Sequence, residues 1–338
     1  MHIIDKNARC GVIGYGSWAT ALVKILLENE PCVNWHIRRD SVAEHIRKHG
    51  NNPRYLRSVH FATEKLHISD DINEIVEASD IVILAVPSAF LQETLDGLDP
   101  SVAGKLKDKF VISAIKGIVP DGYVTVAEHM NRRYGVPFGN IGIITGPCHS
   151  EEVALERLSY LTIVSKEHSN SCTLCGKFTT DFTRANPSTD IYGTEYAAVL
   201  KNIYAIAAGI AVGIGYGDNF LAVLISNAAV EMNRFMAESY PFERDTSTSA
   251  YLGDLLVTSY SKFSRNRTFG TMIGKGYSLQ AAIAEMTMVA EGYFGSECIR
   301  QVNKRFGVAM PIADCVHAIL YEGAVPAERM KELTDRLV

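Results

Sequence analysis

The chain has 338 residues, 47% of them hydrophobic and 21% charged, with a formal net charge of −5. That length supports two domains with separate cores, and the composition is that of an ordinary globular protein. The acidic balance argues against a general nucleic-acid or membrane-surface binder, so any cationic site for an anionic ligand has to be local. No secretory signal is read at the N-terminus, where Met1–Lys6 leads into a short apolar strand.

Short apolar runs at Cys10–Ile13, Val33–Ile37, Ile81–Val86, Phe110–Ala114 and Ile141–Thr145 predict buried parallel strands. Nearly continuous apolar character is what a strand needs when helices cover both faces of its sheet. Helix-like stretches fall between them, at Trp18–Glu30, Ser41–Gly50 and Ala89–Leu98, and Leu161–Val164 is a further strand candidate. Alternation of this kind predicts an α/β fold, a Rossmann-type doubly wound sheet over residues 1–190.

The pattern changes after about Pro187. Tyr196, Val199, Leu200 and Ile203 fit one face of a helix, with further helices expected across Leu221–Glu238 and Ser278–Val289. Residues 191–338 therefore read as an all-helical domain, and its apolar character is compatible with a homodimer. The long, mostly apolar uncharged run Asn202–Gly217 is broken by Gly209, Gly213 and Gly215. It falls short of the roughly 20 apolar residues that span a bilayer, so a buried helix is expected rather than a membrane segment. Seven cysteines in irregular spacing suggest reduced thiols in a cytoplasmic protein. Cys172 and Cys175 form a lone Cys-x-x-Cys, half of what a structural zinc site needs, and no metal is expected.

Gly14-Tyr15-Gly16-Ser17-Trp18-Ala19 follows the first strand and opens the first helix, in the pattern Gly-x-Gly-x-x-Gly/Ala. Gly14 permits a tight turn, Gly16 lets the backbone approach a pyrophosphate, and the small Ala19 lets helix pack on strand. The helix N-terminus then offers unpaired N–H donors to the anion. The second predicted strand ends in Ile37-Arg38-Arg39-Asp40 rather than in the acidic residue common in NAD-selective sites. An arginine there can pair with a 2′-phosphate, so NADPH is expected to bind as well as NADH. Arg38 is the stronger candidate; Arg39 reads equally as a solvated charge.

Several segments together resemble the NAD(P)-dependent glycerol-3-phosphate dehydrogenases, of the bacterial type. They include Gly14–Ala21, Asn52-Pro53-Arg54-Tyr55-Leu56, Ala85-Val86-Pro87-Ser88, Lys116-Gly117-Ile118 and Gly146-Pro147 with Glu151-Glu152-Val153. Leu200-Lys201-Asn202, Gly217-Asp218-Asn219, Leu252-Gly253-Asp254-Leu255, Ser264-Arg265-Asn266-Arg267 and Ala290-Glu291-Gly292 continue the match. The resemblance implies reversible hydride transfer between a nicotinamide cofactor and dihydroxyacetone phosphate or sn-glycerol 3-phosphate, in the service of phospholipid synthesis. It implies a proton donor at Lys201, with Lys116 touching both substrate and cofactor and Asp254 completing the catalytic set. Gly146, Cys148, Thr258, Ser264, Arg265 and Asn266 fall on substrate positions. Ser17, Trp18, Arg38, Ser150, Arg265, Val289 and Glu291 fall on cofactor positions.

The chemistry needs these residue types. Hydride attack on a ketone builds negative charge on the carbonyl oxygen, which has to be stabilised and protonated. Lys201 lies in an apolar helical stretch where a lysine is costly to bury without a use. Desolvation and a second cation would bring its pKa toward working pH, with Asp254 limiting that fall. Arg265 can grip a phosphate through two parallel hydrogen bonds, with Asn266 beside it.

Three departures stand out. Ile115 replaces a family threonine before Lys116, and Tyr251 replaces a glycine. Gly146-Pro147-Cys148-His149-Ser150 carries a thiol where the family has a hydroxyl, a poorer donor. Neighbours on an extended segment point apart, which argues against Cys148 and His149 as a nucleophilic pair. Two other readings stay open: a related hydroxyacid or polyol-phosphate dehydrogenase, and a non-catalytic NAD(P) sensor.

Overall fold

The computed structural model describes residues 3–286, 288 and 290–338, and it divides into two compact units. The first comprises residues 1–115 and 126–191; the second comprises 116–125 and 192–338. The segment 116–125 thus leaves the first domain that the linear reading gave it. Its Ile118 is 1% exposed and packs in the core of the second unit.

The first unit is one eight-stranded sheet of order β3-β2-β1-β4-β5-β6-β7-β8. The strands are β1 (Cys10–Ile13), β2 (Val33–His36), β3 (Leu66–Ser69), β4 (Ile81–Leu84), β5 (Phe110–Ser113), β6 (Ile141–Thr145), β7 (Ser159–Ser165) and β8 (Thr183–Ser188). Six parallel strands carry the order 3-2-1-4-5-6 of a dinucleotide-binding sheet. β7 then pairs antiparallel with β6, and β8 parallel with β7. Helices α1 (Ser17–Asn29), α2 (Asp40–His49), α3 (Ile72–Ala78), α4 (Leu91–Leu95), α5 (Pro100–Ala103), α6 (Val126–Tyr134), α7 (Ser150–Ala154) and α8 (His168–Phe178) belong to this unit. The stretch Ala89–Leu98, expected as one helix, is a 3₁₀ turn followed by the short α4.

The expected strands are the central ones, and their apolar runs are buried from both sides. β1, β2, β4, β5 and β6 are buried at every position. The strand order reverses between β1 and β4, where Ile13 pairs with Leu84. A ligand crevice lies outside the carboxyl ends of strands at such a switch point.

The second unit is helical: α9 (Ile191–Gly213), α10 (Asp218–Ser239), α11 (Asp254–Tyr260), α12 (Arg265–Gly274), α13 (Leu279–Glu285), α14 (Glu291–Asn303), α15 (Pro311–Tyr321) and α16 (Pro326–Thr334). Helix α13 ends at Glu285 with Met286 as its C-cap; Thr287 and Val289 of the expected Ser278–Val289 lie outside the described residues. α9 is long and apolar enough to cross a bilayer, but 89% of its apolar window is buried inside the protein. It is a core helix, and α12 crosses it at backbone contact. A Cβ on Gly209 would lie 2.1 Å from the Arg267 carbonyl, and one on Gly270 would lie 2.2 Å from the Ile206 carbonyl. Side chains at either position would force the helices apart. Those two glycines fix the distance between the α9 residues near Lys201 and the start of α12.

None of the seven cysteines is joined in a disulfide. Cys172 is exposed and Cys175 buried on α8, and Cys172 Sγ lies 3.4 Å from His168 Nε2. Among the described residues no group of three His, Cys, Asp or Glu side chains is arranged to hold a metal.

Candidate active site

In the first unit, the Gly14–Gly16 turn leaves β1 and delivers the chain into α1. Gly14 has φ +119°, and a Cβ there would lie 2.5 Å from the Ala85 carbonyl at the end of β4. A side chain is excluded twice, by conformation and by space. Gly16 differs, because nothing lies within 4 Å of where its Cβ would be. Packing therefore does not explain glycine at position 16, whereas close approach of a ligand to the backbone does. Gly16 is also the N-cap of α1, and no side chain caps that end. The 13-residue helix keeps its N-terminal donors directed at this turn. The donor set and the open cradle fit a dinucleotide pyrophosphate.

Around the turn, Ser17 is buried, and the indole N–H of Trp18 donates to the Ala114 carbonyl at 3.1 Å. Arg38 is exposed and lies 3.8 Å from Glu93, a loose surface pair; Arg39 is the N-cap of α2. Gly146 follows β6 with φ +111°, and Cys148 is 5% exposed. Ser150 opens α7, and its hydroxyl donates to Glu151 at 3.1 Å.

The second unit gathers the predicted catalytic residues. Lys201 on α9 is 3% exposed and Asp254, the first residue of α11, is 1% exposed. Asp254 Oδ1 pairs with Lys201 Nζ, and Oδ2 lies 3.9 Å from Lys116 Nζ. One carboxylate thus bridges two amines, with the Thr258 hydroxyl donating to Oδ1 at 3.4 Å. A π-helical turn at Ser249–Gly253 leads into Asp254, an irregularity often found at functional positions. Tyr251 sits in that turn, 5% exposed and part of the unit's core.

Burial disfavours the ammonium form of Lys201, and its pKa is pushed down to about 7, Asp254 opposing and Lys116 assisting the shift. A buried amine that exchanges a proton near neutral pH is suited to acid–base work.

The backbone of this cluster is tied by amides. Asn202 Nδ2 donates to the Lys116 carbonyl at 3.1 Å, and Asn266 Nδ2 donates to Asn202 Oδ1 at 2.9 Å. Asn266 Oδ1 in turn accepts from the Gly292 N–H at 2.9 Å. Asn266, expected at the substrate phosphate, therefore gives one donor and its acceptor oxygen to this internal chain. Asn202 was not singled out from sequence, although a buried amide beside a buried lysine was the available signal. Ser264 accepts from the Arg267 N–H as the N-cap of α12. Arg265 follows it, half-buried, and its one side-chain hydrogen-bond partner among the described residues is the Met288 thioether, 3.7 Å from Nη1. A thioether is a weak acceptor, and no carboxylate pairs with the guanidinium among the described residues. Glu291 opens α14; Val289 lies outside the described residues.

Comparison with known proteins identifies the family. Family models described as NAD-dependent glycerol-3-phosphate dehydrogenase N-terminus and C-terminus match residues 9–171 and 190–331. A glycerol-3-phosphate dehydrogenase [NAD(P)+] of Chlorobium limicola is 35% identical over 327 residues, covering 96% of this chain and 97% of that one. One from Staphylococcus haemolyticus is 33% identical with the same coverage. The crystal structure of glycerol-3-phosphate dehydrogenase from Coxiella burnetii superposes with a TM-score of 0.88 at 26% identity, covering 98% of this chain and 99% of that one. With both family models matched in order, the chain belongs to the NAD-dependent glycerol-3-phosphate dehydrogenase family.

Proposed function

We propose that this chain reduces dihydroxyacetone phosphate to sn-glycerol 3-phosphate with NADH or NADPH, and catalyses the reverse reaction. The observation that carries this reading is the Lys201–Asp254–Lys116 cluster, a buried amine poised near neutral pH with its partners in place. The names of the relatives supply the substrate.

The dinucleotide would be held by the Gly14–Gly16 turn and the N-terminus of α1, with Arg38 near its adenosine ribose. When bound, the reduced nicotinamide supplies a hydride. Lys201 Nζ would donate a proton to the ketone oxygen as charge develops there, and take it back in the reverse direction. Lys116 would add a second cation close to the same oxygen, while Asp254 orients both amines. Arg265, with its guanidinium uncommitted to any carboxylate, would pair with the substrate phosphate.

We assign the product to glycerophospholipid synthesis in the cytoplasm, a setting that suits a chain whose seven cysteines form no disulfide. The test is loss of NADH absorbance on adding dihydroxyacetone phosphate, run beside unphosphorylated dihydroxyacetone and a panel of 2-keto acids. A clear preference for the phosphorylated triose is expected. Turnover of a keto acid instead, or NADH binding without turnover of any of them, would overturn the assignment.

A further inference from the structure

The Gly14–Gly16 turn is held from behind by side chains that the reaction scheme does not use. Each of its three carbonyls has a defined donor. The indole N–H of Trp35 on β2 donates to the Gly14 carbonyl at 2.7 Å. Asn52 Nδ2 donates to the Tyr15 carbonyl at 3.0 Å. The Thr20 hydroxyl and the Thr20 backbone N–H both donate to the Gly16 carbonyl at 2.9 Å. Trp35, Asn52 and Thr20 are all 0% exposed.

Asn52 governs two of the three. Its second Nδ2 proton goes to Thr20 Oγ1 at 2.9 Å. Since Nδ2 can only donate there, the hydroxyl hydrogen of Thr20 is directed to Gly16. Asn52 Oδ1 meanwhile accepts from the N–H groups of Arg54 and Tyr55, at 3.0 and 3.2 Å. That pair of bonds orients the amide, so its donors face the turn. A fully buried side chain with both its donor protons and its acceptor committed is a rigid bracket. The N–H groups of Tyr15 and Gly16 have no hydrogen-bond partner among the described residues.

Anchoring every carbonyl fixes the peptide planes, and with them the direction in which the N–H groups point. A peptide flip in a glycine-rich turn would put a carbonyl oxygen where an anion must sit. We propose that Asn52, relayed through Thr20, is a positioning residue that pre-organises the turn for the dinucleotide pyrophosphate. This rests on the dinucleotide-binding reading, and it gives the Asn52–Leu56 segment a physical task.

The test uses the full chain and NADH itself, with binding followed by quenching of tryptophan fluorescence. Asn52→Asp keeps the side-chain shape and the acceptor but removes both donors. Thr20→Val removes only the relay hydroxyl. Loss of one such bond corresponds to about tenfold in an equilibrium constant. The Kd and KM for NADH are expected to rise about tenfold or more in Asn52→Asp and a few-fold in Thr20→Val, with kcat at saturating NADH falling much less. A role confined to stability would lower the thermal midpoint without this split. NADH affinity within about twofold of the parent in either folded variant, or kcat falling as steeply as affinity, overturns the proposal. Should Asn52→Asp not fold, Thr20→Val decides the matter. A parent chain that binds no NADH would sink the dinucleotide reading and this inference with it, an outcome distinct from unaltered affinity in the variants.

Discussion

Replacing Asp254 by Asn tests the electrostatics of the cluster directly, because the shape is kept and one charge is lost. Asp254 is 1% exposed, with Oδ1 on Lys201 and Oδ2 3.9 Å from Lys116. Opposite unit charges about 4 Å apart attract by about 4 kcal/mol at an effective dielectric near 20, and about 1.4 kcal/mol is one pKa unit. Removing the carboxylate should therefore lower the Lys201 pKa by ~2–3 units, from its present value of about 7. At pH 7 the ammonium fraction then falls from about one half to between about one in 10² and one in 10³. Ketone reduction needs that ammonium, so kcat/KM at pH 7 should drop by a similar factor and recover as the pH is lowered. Initial rates of reduction across the acid-to-alkaline range measure the position of this limb. A loss of the same size at every pH would show that Asp254 only positions its neighbours, and the proton-donor argument built on its charge would fail.

The other predictions are briefer. Lys201→Met should lower kcat by about 10²–10⁴ with NADH affinity retained, since general acid catalysis contributes on that order; near-normal turnover would remove Lys201 from the mechanism. Arg265→Ala should weaken the phosphorylated triose by about tenfold or more and leave unphosphorylated dihydroxyacetone little changed, as expected when a charge-assisted hydrogen bond is lost. An equal loss for both substrates would refute the phosphate socket. Arg38→Asp should raise KM for NADPH well above any change for NADH, and parallel changes would show the arginine to be only a surface charge. Glu231 is 2% exposed and accepts from the Ile312 and Ala313 N–H groups at 2.8 and 3.0 Å. Desolvation raises its pKa from 4.5 to about 7, against those two hydrogen bonds. The folded chain then holds a proton that the unfolded chain loses, so this carboxyl contributes stability below pH 4.5 that is lost as pH rises to about 7. Glu231→Gln should remove up to about 3 kcal/mol of that pH dependence in denaturant titrations; an unchanged slope between pH 5 and 7 would contradict it.

The parts of the fold legible in the sequence are those buried from both sides. β1, β2, β4, β5 and β6 announce themselves because a central strand must be apolar on both faces. β3, with His67 and Ser69, and β8, with Arg184, Asn186 and Pro187, were missed for the complementary reason. Each is an edge strand with a ladder on one side only, where polar residues and proline are tolerated. The transfer of residues 116–125 to the second unit was illegible in principle. Chain order assigns a segment to its sequence neighbours, whereas the core that buries Ile118 is built from helices far along the chain.

At the site, the division falls between groups that do chemistry and groups that hold them. Lys201 and the Gly14–Gly16 turn stand out because charge in an apolar stretch, or glycine at a strand end, is conspicuous against its surroundings, whereas Asp254 and Arg265 were singled out through the resemblance to the family. Asn202, Asn52 and the facing pair Gly209 and Gly270 are inconspicuous, since each acts through a contact with residues remote in sequence: Lys116, Tyr15 and one another's helices. Such residues decide whether the conspicuous ones work. In the proposed mechanism Lys201 on α9 and Arg265 on α12 serve one small substrate, and their helices cross at backbone contact that a methyl group at position 209 would disrupt. Gly209→Ala, which touches neither amine nor guanidinium, should therefore cost activity through geometry alone, raising KM for dihydroxyacetone phosphate while the pH limb of Lys201 stays in place. A variant with parental KM would show that the crossing has slack, and that the distance between acid and anion socket is set elsewhere.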